Sequence, residues 1–215
     1  MVADRAKSVA DVGGRPFLEL VLERLERAAP VRRVILCVGH RAQTVQSAFG
    51  RRHGRLALEY SPEGRPLGTG GALARALRRH SIASPALALN GDTWFPVRFD
   101  ALLAFHRAQR PALTLAAAHV ADAGRYGRLA IERDRVVAFG ENGAPGAGWI
   151  NGGIYVLGRE AIDALTGHRA PSFSLERDIL GPLSAAGRVA ALRSRARFID
   201  IGVPADYALA RSVLG

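Results

Sequence analysis

Apolar positions along the first half of the chain follow two alternating rhythms. Over residues 16–28 they fall at 17, 18, 21, 22 and 25, one face of a helix, with Pro16 suited to its first turn. At 34–38 the run Val-Ile-Leu-Cys-Val is continuous and closed by Gly39, the pattern of a strand buried on both faces, and 41–49 can form the helix that covers it. Residues 56–60 read as a strand, 70–80 as a helix after a Gly/Pro-rich loop, 86–90 as a strand ending at Gly91-Asp92, and 99–109 as a helix. This alternation predicts an α/β core with a mostly parallel sheet flanked by helices, in which ligands collect at the carboxyl ends of the strands.

The second half is richer in strands, predicted at 113–120, 127–131, 136–139, 150–157 and 189–192, with helices at 159–166 and 174–186. Phe198-Ile-Asp-Ile201 leads through Gly202 to a last helix at 204–214, with Pro204 in its first turn. No internal repeat or low-complexity tract interrupts the chain, and 140–148 reads as a Gly-rich loop. A length of 215 residues suits one large domain of two lobes, divided here as 1–112 and 113–215.

Composition narrows the class. With 48% hydrophobic and 23% charged residues the chain can bury a core. No apolar run is long enough for a bilayer span and the start lacks a signal layout, so no membrane partner is expected and the location reads as cytoplasmic. The net charge of +11 raises nucleic acid as a partner, but the arginines are scattered, without a basic run or interleaved aromatics, and a solvated arginine-rich surface is the preferred reading. Lys7 is the only lysine among thirty basic residues, which singles it out, because an ammonium and a guanidinium are not equivalent at a tight anion site. Cys37, the only cysteine, lies inside an apolar run and reads as a buried, inert thiol. The six histidines show no metal-ligand spacing.

Three segments carry candidate chemistry. Pro66-Leu-Gly68-Thr69-Gly70-Gly71 runs into a helix, where glycines let backbone N–H groups approach a ligand near the positive end of the dipole. Asn90-Gly91-Asp92 ends an apolar strand and projects a carboxylate towards the crevice, as a Mg²⁺ ion bridging phosphates would require. Asp200-Ile-Gly202 offers a second strand-end carboxylate. Each has a plainer structural reading, as a turn or a cap. The three together favour the functional one.

Taken in order, Lys7, Gly14-Arg-Pro-Phe17, the segments at 66–71 and 90–92, Trp149-Ile-Asn-Gly-Gly-Ile-Tyr-Val156 and 198–202 resemble the sugar-phosphate nucleotidyltransferases over essentially the whole chain. Within that family the Arg125-Tyr-Gly127 and Trp149-Ile-Asn151 stretches look most like the heptose-1-phosphate or mannose-1-phosphate guanylyltransferases of bacterial surface-polysaccharide synthesis. The resemblance implies a Rossmann-like nucleotidyltransferase fold, a nucleotide-binding lobe at 1–112 and a sugar-phosphate-binding lobe at 113–215. It also implies transfer of a nucleoside monophosphate, GMP from GTP, to a sugar 1-phosphate. By residue, Lys7 would contact phosphate and act with Asp92 and Asp200, which would hold Mg²⁺. Pro66, Gly68, Thr69, Gly70, Gly71, Asn90 and Gly91 would hold the nucleotide, and Tyr126, Gly127, Glu141, Asn151, Gly152 and Glu176 the sugar phosphate. A homo-oligomer is compatible with the sequence.

The chain also departs from the family. The apolar strand and Gly-x-Gly-x-Arg loop that precede Lys7 in relatives have no counterpart, Ala6 stands where a proline is expected, and Asn142 replaces the lysine after Glu141. The expectation is a misassigned start or a trimmed chain, and loss of that segment would leave neighbouring strands short of a partner and weaken phosphate binding. A non-catalytic homologue that binds nucleotide-sugar is the alternative reading.

Overall fold

The computed structural model describes residues 9–28, 31–39, 42–140 and 145–214. The chain begins with β1 (Asp11–Val12), β2 (Arg15–Pro16), α1 (Phe17–Arg27), β3 (Arg33–Val38), α2 (Ala42–Phe49), β4 (Arg52–His53) and β5 (Leu56–Pro62). There follow α3 (Gly68–Arg79), β6 (Ala86–Leu89), β7 (Thr93–Trp94), α4 (Phe99–Gln109), β8 (Leu113–Val120), β9 (Leu129–Glu132), β10 (Arg135–Phe139) and β11 (Gly148–Leu157). It ends with α5 (Arg159–Gly167), a π-helical turn (Glu176–Leu180), α6 (Gly181–Ala185), β12 (Val189–Ser194), β13 (Ile199–Asp200) and α7 (Pro204–Val213).

Two compact units emerge, the first from 1–66, 91–94 and 199–215, the second from 67–90 and 95–198. Residue 112 lies inside the second unit.

In the first unit, β1 and β2 pair through a tight turn whose Gly13 (φ 62°) and Gly14 (φ 84°) take the left-handed values that such a hairpin needs. Pro16 ends β2 and caps α1 from outside, one position earlier than its expected place in the first turn. α1 then buries Phe17, Leu18, Val21, Leu22 and Leu25, the face that its spacing predicts. Strands β3 and β5 run parallel, and β4 joins β5 antiparallel. The expectation that 34–38 is buried on both faces is not met: among the described residues β3 lies at the edge of this three-stranded sheet, and Cys37 is exposed. Enough protein still surrounds the thiol for desolvation to push it up to about 11, so it is not a thiolate nucleophile at neutral pH.

The second unit is built on a six-stranded sheet in the order β6-β11-β8-β12-β10-β9. Only β12 and β8 pair in parallel; every other pair in this sheet is antiparallel, so the sheet is mixed rather than mostly parallel. β9 and β10 are joined by two residues only, too short for a crossover, so that pair returns antiparallel. β8 lies inside the sheet, with its residues 113–118 buried. Its Leu113, Leu115 and Ala117 join a core with Ala74 of α3, Leu165 of α5 and Leu180. On its opposite face Thr114 Oγ1 lies 2.9 Å from Nδ1 of His106 in α4, which places a helix on each side of the sheet. The helix predicted at 174–186 is instead a π-helical turn followed by the short α6. Among the described residues no helix is long and apolar enough to cross a membrane.

Candidate active site

The first unit places one aspartate just before a strand and the other at the end of the strand that pairs with it. β7 and β13 form an antiparallel ladder in which Asp200 lies opposite Thr93, and the N–H of Ile201 donates to the carbonyl of Asp92 at 3.0 Å. Asp92 precedes Thr93 in a turn, and Asp200 is the last residue of β13. Asp200 Oδ1 accepts the N–H of Gly202 at 2.8 Å, which steadies the carboxylate and leaves its second oxygen available. The ladder is anchored by Arg24, whose guanidinium lies 4.9 Å over the ring of Trp94, where burial lowers its pKa to about 10. Two half-exposed carboxylates suit Mg²⁺, which takes one or two such ligands and completes its shell with water and phosphate oxygens. Among the described residues no cluster of three or more acidic, histidine or cysteine ligands is present. Pro66 and Gly91 are exposed and belong to this unit.

The second unit holds the Gly-rich helix start, and the structure gives its glycines a specific task. The segment before the π-helical turn lies directly on it. The N–H groups of Gly70 and Gly71 donate to the carbonyl of Phe173 at 3.1 and 3.4 Å, and the N–H of Phe173 donates to Leu67 O at 3.0 Å. A Cβ at Gly68 would stand 2.6 Å from Phe173 O, one at Gly70 2.4 Å from the Phe173 ring, and one at Gly71 2.7 Å from Pro171 O. Two of the backbone donors expected to face a ligand therefore serve Phe173, while Gly68 and Thr69 stay exposed. The N–H of Leu175 donates to Thr69 Oγ1 at 3.1 Å, so the same segment continues from the helix start to Glu176.

Glu176 meets Asn151: the Asn151 amide nitrogen donates to Glu176 Oε1 at 2.8 Å and to Tyr155 Oη at 2.8 Å, and Asn151 Oδ1 accepts the N–H of Gly153 at 3.1 Å. The backbone makes this possible. Pairing along β11 jumps from Asn151 opposite Ala117 to Tyr155 opposite Leu115, a bulge with two extra residues. Gly153 takes φ 69° inside it, and its carbonyl accepts the N–H of Asn90 at 2.8 Å, which ties the end of β6 to the bulge. Gly152 has no room for a side chain, since a Cβ would lie 2.6 Å from the Phe95 ring. Phe95 packs edge-on to Phe198 (centroids 6.1 Å apart), and Phe198 edge-on to Tyr126 (5.5 Å). Tyr126, which precedes the buried Gly127 (φ 72°), is thus linked to the bulge by an aromatic row.

Of the expected residues, Lys7 and Glu141 lie outside the described residues. Tyr155, Phe173 and Asp178, whose Oδ2 accepts the N–H of Ser174 at 2.7 Å, were not singled out from the sequence. Only Tyr155 left a usable signal there: two glycines in succession inside a strand mark a bulge, and a bulge brings its flanks together.

A helix-flanked mixed sheet with a glycine-rich helix start in the second unit, and a strand pair that carries two aspartates in the first, define an α/β protein. The chain belongs to the nucleotidyl transferase family, whose model matches residues 2–213. It is 32% identical over 214 residues to the D-glycero-alpha-D-manno-heptose 1-phosphate guanylyltransferase of Aneurinibacillus thermoaerophilus, covering 100% of this chain and 91% of that protein. A mannose-1-phosphate guanylyltransferase of Mycobacterium tuberculosis is 34% identical over 206 residues, 94% of this chain and 56% of its own length. Among solved structures, HddC of Yersinia pseudotuberculosis complexed with GMP-PN superposes with a TM-score of 0.85 at 31% identity, covering 99% of this chain and 91% of that one. The UTP-bound UGPase of Acinetobacter baumannii shares the fold, with a TM-score of 0.80 at 16% identity over 100% of this chain and 87% of its own.

Proposed function

We propose that the protein transfers GMP from GTP to a sugar 1-phosphate of the manno series, heptose or mannose, releasing pyrophosphate and forming a GDP-sugar for surface-polysaccharide synthesis. The observation that carries this reading is the continuous hydrogen-bonded path from the Gly68–Gly71 helix start through Phe173 and Leu175 to Glu176 and Asn151, which joins residues expected at the nucleotide to residues expected at the sugar. Support also comes from relatives about one-third identical over nearly all of the chain.

An oxygen of the sugar phosphate attacks the α-phosphorus of GTP and pyrophosphate leaves on the opposite side, so no covalent nucleophile is needed. The work of the chain is to position two polyanions and offset their repulsion. Exposed Gly68 and Thr69 would receive the nucleotide, Asn151 and Glu176 the sugar hydroxyls, and Lys7 a phosphate. Asp92 and Asp200 would hold Mg²⁺, which supplies charge neutralisation at the phosphates when bound.

The test is pyrophosphate release by the full chain with GTP, Mg²⁺ and either D-glycero-α-D-manno-heptose 1-phosphate or mannose 1-phosphate. Turnover is expected and should vanish with EDTA. Asp92→Asn or Asp200→Asn should cut it about 100-fold or more while the melting temperature stays near wild type. Retained turnover in both variants would remove the metal role. Binding of GDP-mannose without turnover on any sugar 1-phosphate would instead identify a non-catalytic homologue.

A further inference from the structure

Tyr155 is 3% exposed and packed within the apolar core that includes Leu113, Leu115 and Leu157, where a phenylalanine would fill the same space without burying a hydroxyl. That hydroxyl meets Asn151, four residues earlier in the same strand. In a regular strand such residues stand about 13 Å apart. The bulge compresses four residues of β11 against two of β8, so the separation halves to about 7 Å and the two side chains touch.

The bonds leave the Asn151 amide a single orientation. Its oxygen takes the N–H of Gly153, and its nitrogen spends both hydrogens on Tyr155 Oη and Glu176 Oε1. A flipped amide would turn NH₂ towards an N–H and a carbonyl towards a carboxylate, so it is excluded. Tyr155 accepts from Asn151 and keeps its own O–H buried with the ring; beside it the cluster offers a lone pair on Asn151 Oδ1 and the second oxygen of exposed Glu176, both acceptors. A ligand meeting this cluster must bring hydrogen-bond donors.

We propose that Tyr155 is a positioning residue for the sugar half of the reaction: its buried hydroxyl locks the Asn151 amide, and through it Glu176, into an acceptor-only pair that selects sugar hydroxyl groups over deoxy positions. This rests on the functional reading above. Burial, and next to it the Glu176 carboxylate, raises the phenol's pKa, so the hydroxyl stays protonated throughout the assay range and the effect is independent of pH there.

Steady-state kinetics of the full chain with GTP and mannose 1-phosphate, or the heptose 1-phosphate if that is the one turned over, test the role. Tyr155→Phe should raise KM for the sugar 1-phosphate about five- to tenfold, while kcat and the KM for GTP stay within about twofold of wild type. In an Asn151→Ala background the added effect of Tyr155→Phe should shrink to within about twofold, because the amide it positions has gone. Monodeoxy analogues of mannose 1-phosphate should be disfavoured by the wild type, and the variant should lose part of that discrimination. An unchanged sugar KM, additive effects in the double variant, or a parallel loss of kcat, GTP affinity and melting temperature would overturn the proposal. If Tyr155→Phe does not fold, Tyr155→Met carries the same test, because it also removes the hydroxyl while a flexible apolar side chain fills the core. A wild-type chain that turns over no sugar 1-phosphate sinks the functional reading; an active wild type with an unaltered Tyr155→Phe sinks only the positioning role.

Discussion

Gly68 and Gly187 have nearly the same backbone conformation, φ 71° and 68°, in opposite surroundings. A Cβ at Gly187 meets nothing within 4 Å, whereas one at Gly68 stands 2.6 Å from Phe173 O and 3.2 Å from Phe173 C. Replacing each by alanine therefore separates backbone strain from crowding. The left-handed conformation alone costs about 1–2 kcal/mol for a residue with a Cβ, which is the whole expected cost at Gly187. At Gly68 the obstructing atom is backbone, and it already accepts the N–H groups of Gly70 and Gly71, so it cannot retreat without loosening the helix start. Overpacking of this kind adds about 1–3 kcal/mol. At about 2–4 °C per kcal/mol for a chain of this size, Gly187→Ala should melt about 2–8 °C below wild type, and Gly68→Ala lower still by at least about 2–4 °C. Thermal unfolding by circular dichroism reads both. The KM for GTP should rise in Gly68→Ala and stay put in Gly187→Ala, because only the former disturbs the Phe173 contact. Equal melting temperatures, or a Gly68→Ala protein as stable as wild type, would refute the claim that close approach of the 171–175 segment is what requires glycine here.

Two further predictions concern pH. His106, paired with Thr114 inside the second unit, has its pKa lowered, first by burial and then by Arg107, so the folded state prefers the neutral ring. Its stabilising contribution is complete above the unfolded value near 6.5 and declines as pH falls through the lower folded value; His106→Gln should flatten the drop in melting temperature between pH 7.5 and 5, and an undiminished drop would assign it to other groups. Asp178 is held below its ordinary 3.8, first by its bond to Arg177 and then by the N–H of Ser174. Its contribution is present above that value and lost as pH falls through the folded pKa, so Asp178→Asn should melt below wild type at pH 7, with the two converging as the solution becomes more acid than that; a constant gap would show that the carboxylate's charge is not what matters.

What the amino-acid order determined by itself was local. The spacing of Phe17, Leu18, Val21, Leu22 and Leu25 places α1 and its buried face, because a helix of 3.6 residues per turn has only one way to gather those groups. The apolar runs at 86–90 and 113–120 mark strands for an equally local reason, and the motifs at 68–71, 90–92, 149–156 and 198–202 were enough to indicate the family, since each is read within a few residues. Strand direction was not legible. The connections after β8 carry no helix, and whether a returning strand pairs parallel or antiparallel depends on partners far away in the chain, which apolar runs do not encode. The same limit hid the exposure of Cys37, because an apolar run says nothing about whether a strand lies at an edge. The role of Phe173 was hidden for a related reason: a glycine-rich helix start looks the same whether a ligand or the chain's own carbonyl comes close to it. Bringing Asn151, Tyr155 and Glu176 to 2.8 Å contacts took a bulge in β11 and a segment anchored on α3, and contacts between residues this far apart exist only once the chain has closed on itself.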